Sequence, residues 1–371
     1  MGGGPIGLMC GLMLAERGVR SELVDARGLE QARQDRRLLA LSRGTVQLLS
    51  GLLGDRFAPM AAIFDVHVSS AGQFGSTRLS SRDFDGAALG ATVWYSDLLQ
   101  ALSRAAEDEP CIRVRRPCRV TDLEQRHESV VVRLDHEAPI EAAMAINAEG
   151  TAPSGRPAST IAILANLDIA GLAPGMALER FTREGPLALL PVPPTDTGDF
   201  RGPTSMIWCL QRDVAQQRLG MSDSEFVSTV QAVLGPRIGL VTRVGPRSQF
   251  PLVQQRRPRL REHRLAYIGN AAQSLHPVAG QGFNLGMRDC ACLSDCLARS
   301  SGDVISALAR YEALRRIDRL AISSFTAWLP RLFSARSAPL AVARSTALLA
   351  LDLAAPLRRE LASVLMFGLR L

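Results

Sequence analysis

The sequence predicts an α/β protein in which a Rossmann-like dinucleotide-binding domain is intertwined with a mixed-sheet domain and followed by C-terminal helices. Three observations carry this. Gly2, Gly4 and Gly7 form a GxGxxG turn that opens a helix at about Pro5 and leads to a strand at Ser21–Val24 ending in Asp25. A second strand-loop-helix unit spans Arg264 to Leu293. Between them, from Ile63 to Val93, alternation of polar and apolar residues with turn glycines marks short strands.

The 371 residues, 47% hydrophobic, are enough to bury a sizeable core, and the length suits one large or two intertwined domains. No lysine occurs, so all 43 basic residues are arginine. P-loop ATPases and Schiff-base enzymes, which need an amine, are excluded. A net charge of +7 and a pI near 9.5 fit an acidic partner or an anionic membrane surface. The arginines are dispersed rather than clustered among aromatics, which argues against nucleic acid. None of the seven cysteines falls in CxxC or Cys/His metal spacing, and Cys290, Cys292 and Cys296 lie on one predicted helix as small apolar residues. The expected setting is the reducing cytoplasm, with no metal site, signal peptide or transmembrane span.

In chain order, the first unit has glycines for a tight turn and close approach to a pyrophosphate, then a carboxylate for a ribose hydroxyl. Such a fingerprint should follow a strand, and only Met1 precedes it. The expectation is a truncated or misassigned start, with the middle strand of the sheet missing. QDRRLLALSRGTVQLL has apolar residues at helical spacing and carries Arg37. His67 sits in an alternating run and reads as structural. Asp97 to Ala106 is an amphipathic helix, and Val130–Leu134 and Ala143–Asn147 are strands. After Ala148-Glu149-Gly150, the Pro-, Gly- and Ser-rich TAPSGRP reads as a crossing between domains, before strands at Thr160–Ala165 and Ser205–Leu210. Beyond Asp303 the pattern is helical. Arg331, Arg336, Arg344, Arg358, Arg359 and Arg370 lie there among Trp328, Phe333 and Phe367, as an interfacial amphipathic region or as helices capping the first domain.

The densest chemistry lies in RLAYIGNAAQSLHPVAGQGFNLGMRDCACL. A strand ends at Gly269-Asn270, a Pro and Gly loop follows, and a helix should start at about Asn284. The loop thus sits at the carboxyl end of a strand, where open α/β sheets bind ligands, with a helix N-terminus aimed at it. Gly280 and Gly282 flank Gln281, so backbone can pass close to a flat or phosphorylated ligand, and Asn284 offers an amide at its rim.

GNAAQ, HP and GQGFNLGMRD resemble the third signature of the class A flavoprotein monooxygenases, the FAD-dependent aromatic hydroxylases built like p-hydroxybenzoate hydroxylase. Asn270, where most members carry Asp, places the likeness nearest the 2-polyprenyl-6-methoxyphenol hydroxylase branch of ubiquinone biosynthesis. ALERFTREGPLALLP and IFDVHVSSAGQFGSTRL resemble its substrate domain. The resemblance implies an FAD-binding domain from 1–63, 96–165 and 261–330, a substrate domain from 64–95 and 166–260, and a C-terminal helical segment, 331–371. It implies an FAD-dependent monooxygenase that uses NAD(P)H as co-substrate and O2 to hydroxylate a polyprenylated phenol through a flavin C4a-hydroperoxide.

By the same resemblance, Gly2, Gly4 and Gly7 would hold the FAD pyrophosphate, Asp25 the adenosine ribose, Arg37 the flavin edge, and Gly269-Asn270 the ribityl chain. Gly280, Gln281, Gly282 and Asn284 would face the N1–C2=O side of the ring. Pro277 would wall the oxygen site. His276 would either act on the phenol and peroxide or only shape the loop. At Glu149 the family usually has Asp, and a turn role is as well supported there as a cofactor role. A substrate with a long tail implies a protein peripheral to the inner membrane or part of a quinone-making assembly. Two alternatives stay open on the residues alone: a noncatalytic, flavin-free member of such an assembly, and an NAD-dependent dehydrogenase.

Overall fold

The computed structural model describes residues 1–57, 59–150, 158–194, 203–334 and 338–368. TAPSGRP, expected as the domain crossing, lies outside the described residues. Helix α1 (Pro5–Ala15) starts directly on the glycine turn, with proline in its first turn, where a missing N–H costs nothing. It is buried on nearly every side, as its glycine- and leucine-rich sequence allows. Helix α2 (Leu29–Arg33) is one short turn.

QDRRLLALSRGTVQLL is not one helix. Leu38–Ser42 is a strand, and helix α3 (Arg43–Leu53) begins only after Ser42, whose hydroxyl accepts the Thr45 N–H at 3.3 Å. A run of four apolar residues suits either structure, and antiparallel pairing with Gly90–Trp94 decides for the strand. Helix α4 (Tyr95–Glu107) follows as its amphipathic pattern predicts.

The parallel pairs Ser21–Val24 with Ile112–Arg115, and Ala145–Asn147 with Leu265–Tyr267, lie on either side of Met1 and Gly2. Gly2 donates its N–H to Val24 O at 2.7 Å, Ala148 donates to Met1 O at 2.8 Å, and the Met1 ammonium donates to Ile146 O at 2.8 Å. Two residues thus bridge the interval where the middle strand is expected to be missing. Leu8, Met9, Leu98, Leu102, Ile268 and Leu285 are among the residues of the core that packs around this layer.

A second, eight-stranded sheet holds Asp65–Ser70, Ser76–Ser80, Thr160–Ala170, Met176–Phe181, Pro186–Pro191, Thr204–Gln211, Leu240–Val244 and Ser248–Leu252. Thr160–Ala170 is one continuous strand of it, so the domain boundary expected at 165/166 falls inside a strand. Helices α5 (Arg212–Leu219) and α6 (Asp223–Leu234), for which the sequence raised no expectation, cover one face of this sheet. That face buries Ile161, Ile163, Leu189, Met206 and Trp208. Side chains alternate along a strand, so the intervening residues point the other way, toward the first domain.

Helix α7 (Gln281–Ala298) begins three residues before Asn284, so Gln281 and Gly282 are helical rather than loop. Helix α8 (Val304–Ser334) runs unbroken through the boundary expected at 330/331. Helices α9 (Ala338–Leu353) and α10 (Ala355–Phe367) return to the body, and α10 packs on α3 and on the Leu38–Ser42 strand. The tail arginines are not a uniformly exposed set. Arg344 is buried, with its guanidinium 5.7 Å from the Phe333 ring, and Arg358 pairs with Asp83 at 2.9 Å, whereas Arg359 is exposed. The side chains of Arg331, Arg336 and Arg370 fall outside the described set.

Candidate active site

A continuous cavity of about 1770 Å³ runs between the two domains. One end is lined by Gly2, Gly4, Asp25, Arg27 and Glu149, and its middle by Arg37, Gly269, Asn270, Pro277, Gly280, Gln281, Gly282 and Asn284. The far side is the open face of the eight-stranded sheet, together with α10. Its volume exceeds the 300–1,000 Å³ of an ordinary ligand pocket. Gly2, Gly4, Asp25, Arg37 and the 269–284 residues, far apart in sequence, therefore share one space. His276 does not.

At the first end, a Cβ on Gly7 would stand 1.9 Å from Gly2 O, so the α1 turn closes only with glycine there. Asp25 accepts Gly3 N–H at 2.7 Å and Arg27 N–H at 2.8 Å, which fixes its carboxylate at the cavity wall. Glu149 N–H is bonded to Asn147 Oδ1 at 3.0 Å, a turn contact, while Glu149 also lines the cavity.

Arg37 is held by Asp35 at 2.6 Å and lies against two rings, 5.1 Å from Tyr95 and 4.8 Å from Phe250. Burial works against its charge, but the bonds to Asp35 outweigh burial and raise its pKa. It is a fixed cation at the wall rather than a solvated helix charge.

Around the central loop, two side chains make protein contacts where cofactor contacts are expected. Asn284 is 3% exposed and spends its amide on the protein: Oδ1 accepts Ser42 N–H at 2.8 Å, and Nδ2 donates to Ala40 O at 3.0 Å and Gly280 O at 2.7 Å. With α7 starting at Gln281, position 284 falls on its inward face and becomes a strut to the neighbouring strand. The Gln281 side chain reaches Leu365 O in α10 at 3.3 Å and accepts from Arg288 at 3.4 Å. What faces the cavity here is backbone. Gly280 has φ +59°, no side chain caps α7, and a Cβ on Gly282 would meet nothing within 4 Å.

His276 is buried, accepts the Val278 N–H at Nδ1 (3.4 Å), and lines a separate small hollow with Gln254, Ser323 and Thr326. Burial pushes its pKa down to about 4, so it is a neutral loop-shaping residue. Its neighbour Pro277 does line the cavity.

Sequence reasoning missed the buried ionic chain behind the loop. Asp289 accepts Gly269 N–H at 3.2 Å, Gln273 Nε2 at 2.8 Å and Arg315 Nε at 2.7 Å. Arg315 bonds Asp318 at 2.7 Å, Asp318 accepts from Arg288 at 3.2 Å, and Arg288 reaches Gln281. The chain ties Gly269 to Gln281, the two ends of the loop. The signal lay in GMRD and RRIDR, charges at helical spacing on segments otherwise apolar enough to be core.

Residues 1–317 match the FAD binding domain family. The chain belongs to that family. Along 97% of its length it is 30% identical to the ubiquinone hydroxylase UbiL of Rhodospirillum rubrum, covering 86% of that protein. It is 27% identical to the 3-demethoxyubiquinol 3-hydroxylase of Escherichia coli, over 97% of this chain and 95% of the relative. Its fold is that of PqsL, a probable FAD-dependent monooxygenase from Pseudomonas aeruginosa (TM-score 0.75, 18% identity, 94% and 97% of the two chains). It is also that of the p-nitrophenol 4-monooxygenase PnpA of Pseudomonas putida (TM-score 0.77, 16% identity, 100% and 98%). The chain is an FAD-dependent monooxygenase of the aromatic-hydroxylase kind, as its signatures imply.

The residues present fit FAD. The cavity, at about 1770 Å³, has room for a dinucleotide and a second molecule, the glycine turn brings backbone to its first end beside the Asp25 carboxylate, and Gly282 leaves the wall beside α7 open. Backbone N–H groups and the positive dipole end of α7 favour negative charge at that wall.

Proposed function

We propose that this enzyme hydroxylates the ring of a polyprenylated (methoxy)phenol in ubiquinone biosynthesis, with NAD(P)H as electron donor and O2 as oxygen source. The observation that carries the reading is the continuity of the cavity from the cofactor cradle into an apolar arm. Val66, Leu79, Leu89, Ala362, Leu365 and Met366 wall that arm and pack on one another. An isoprenoid tail gains about 25 cal/mol per Å² of apolar surface by leaving water for such a wall.

FAD, when bound, supplies the electron storage and oxygen activation that no side chain here offers. The protein does the rest. The glycine turn and Asp25 would hold the dinucleotide end, and Arg37 would give the cavity wall a fixed positive charge. The first turn of α7 presents N–H groups where negative charge develops, a preorganised stabilisation of the oxyanion-hole kind. Pro277 and the sheet enclose the reacting end and exclude water.

No helix among the described residues is long and apolar enough to cross a membrane. Trp328, Val342, Leu349, Leu353 and Leu357 are exposed on the C-terminal helices, and 342, 349 and 353 share one side of α9. That apolar side supports peripheral contact with the membrane that carries the substrate, while Arg344 and Arg358 are spent on contacts within the protein.

The test is an absorbance spectrum of the purified protein, followed by NADH and NADPH oxidation with a short-chain prenylated 2-methoxyphenol. A yellow protein whose turnover depends on the phenol, and which adds one oxygen atom to it by mass spectrometry, is expected. A colourless protein that takes up no FAD would sink the reading in favour of a flavin-free assembly member. A flavoprotein indifferent to the phenol would sink the substrate.

A further inference from the structure

The eight-stranded sheet turns one face to the α5–α6 core and the other to the cavity. Along Met176–Phe181, Leu178 belongs to the core side, and Arg180 reaches across to Val233 O of α6 at 2.7 Å. Glu179, between them, faces the cavity and lines it. Its cross-strand partner is Ala188, which pairs in turn with Ile207, and Ile207 with Leu164, all of them cavity-lining. Among the described sheet residues that line the cavity, Glu179 carries the one carboxylate, set in a row of small or apolar side chains.

Its place along the strand links it to the reacting end. Phe181, two residues on and on the same face, packs with Val278, the neighbour of Pro277, and stacks on Phe333 at 4.0 Å between ring centres. Two residues along a strand span about 7 Å. Glu179 therefore stands about one side-chain pair from the Pro277 loop, on a backbone bonded on both edges to neighbouring strands.

We infer that Glu179 accepts a hydrogen bond from the phenolic hydroxyl of the substrate and so fixes which ring carbon faces the Pro277 side. This rests on the phenol reading above. A carboxylate only accepts, and a phenol O–H donates, so the pair is complementary, whereas the corresponding methyl ether would set a lone-pair oxygen against the carboxylate. A bond to an ionised acceptor is short and strong, and it draws electron density toward the ring that is to be oxidised. A residue on a central strand is also better placed to define orientation than one on a loop.

The test compares flavin-loaded wild type, Glu179→Gln and Glu179→Leu for binding of 6-geranyl-2-methoxyphenol and of its methyl ether, read by perturbation of the flavin spectrum. Wild type is expected to prefer the phenol by about ten- to a hundredfold, the value of a charged hydrogen bond. Glu179→Leu should erase the preference and Glu179→Gln should keep part of it, with affinity for the ether little changed. An unchanged preference in both variants overturns the role of Glu179 and leaves the proposed function standing. If Glu179→Leu fails to retain flavin, Glu179→Gln decides alone: a reduced preference supports the role and an unchanged one overturns it. Wild type that binds neither compound overturns the phenol reading and this inference with it.

Discussion

Asn284 and Ser42 are joined by a hydrogen bond of 2.8 Å between segments 242 residues apart; that bond and a second from the same amide to Ala40 O set α7 against the Leu38–Ser42 strand, and a third, to Gly280 O, ties down the start of α7. Both elements wall the cofactor cavity. Asn284→Ala removes one acceptor and two donors from a nearly dry site. It should cost roughly 2–4 kcal/mol, since each buried bond contributes about 1 kcal/mol and the stranded partners add their desolvation. Urea unfolding of the flavin-free protein measures it. A loss below about 0.5 kcal/mol, on the order of ordinary surface changes, would mean the amide is not the strut described.

Gly280 and Gly282 should respond oppositely to alanine. Gly280 has φ +59° and its Cβ would stand 2.9 Å from the Ala40 Cβ, so Gly280→Ala is expected to destabilise by about 1–2 kcal/mol or more. Gly282 is helical and open to the cavity, so Gly282→Ala should leave the flavin-free protein as stable or up to about 1 kcal/mol more stable. The added methyl projects toward the cofactor, and FAD affinity should fall. Thermal unfolding without FAD and titration with FAD separate the two effects.

Asp289 is fully buried and shared by Arg315, Gln273 and Gly269 N–H. Asp289→Asn leaves the Arg315 charge with one fewer counter-charge, and breaking such a buried pair costs about 3–5 kcal/mol. Because Gly269 loses its anchor, the variant should also release FAD faster. Chemical denaturation and the rate of flavin loss after dilution report the two consequences.

His276 gives a pH signature. Its folded pKa, about 4, lies below the ordinary histidine value of about 6.5, so the unfolded chain binds the proton more readily. The contribution is complete above about pH 6.5 and is lost as pH falls from there toward 4, by roughly 3 kcal/mol in total. His276→Asn, which can still accept the Val278 N–H, should flatten the stability profile over that window. Phenol-dependent turnover at about pH 7–8 should be little affected; a loss there of roughly the hundredfold order typical of a missing acid or base would restore a chemical role to His276.

Much of the cofactor end was legible in the chain because its signals are local. The glycine turn, Pro5 at the start of α1, the Ser21–Val24 strand and the loop from Gly269 to Gly280 are each read from a few consecutive residues. The Leu38–Ser42 strand was not, because four apolar residues carry no decisive period and its partner, Gly90–Trp94, is distant in the chain. Asn284 belongs to the expected wall but holds protein there instead of cofactor, because a start of α7 three residues earlier turns its amide inward. His276 is adjacent in sequence to the lining residue Pro277, yet successive residues of a loop point different ways. The ionic chain from Gly269 to Gln281 draws on α7, α8 and the loop before them, and no window of sequence contains it.

Helix α10 follows every other wall of the cavity in chain order, yet Ala362, Leu365 and Met366 close the apolar arm and Gln281 bonds to Leu365 O. Residues up to 284 thus supply the dinucleotide cradle, while the room beyond it gains one side only from residues 362–366, so side-chain changes on α10 reshape the apolar arm and leave the lining of the cradle in place.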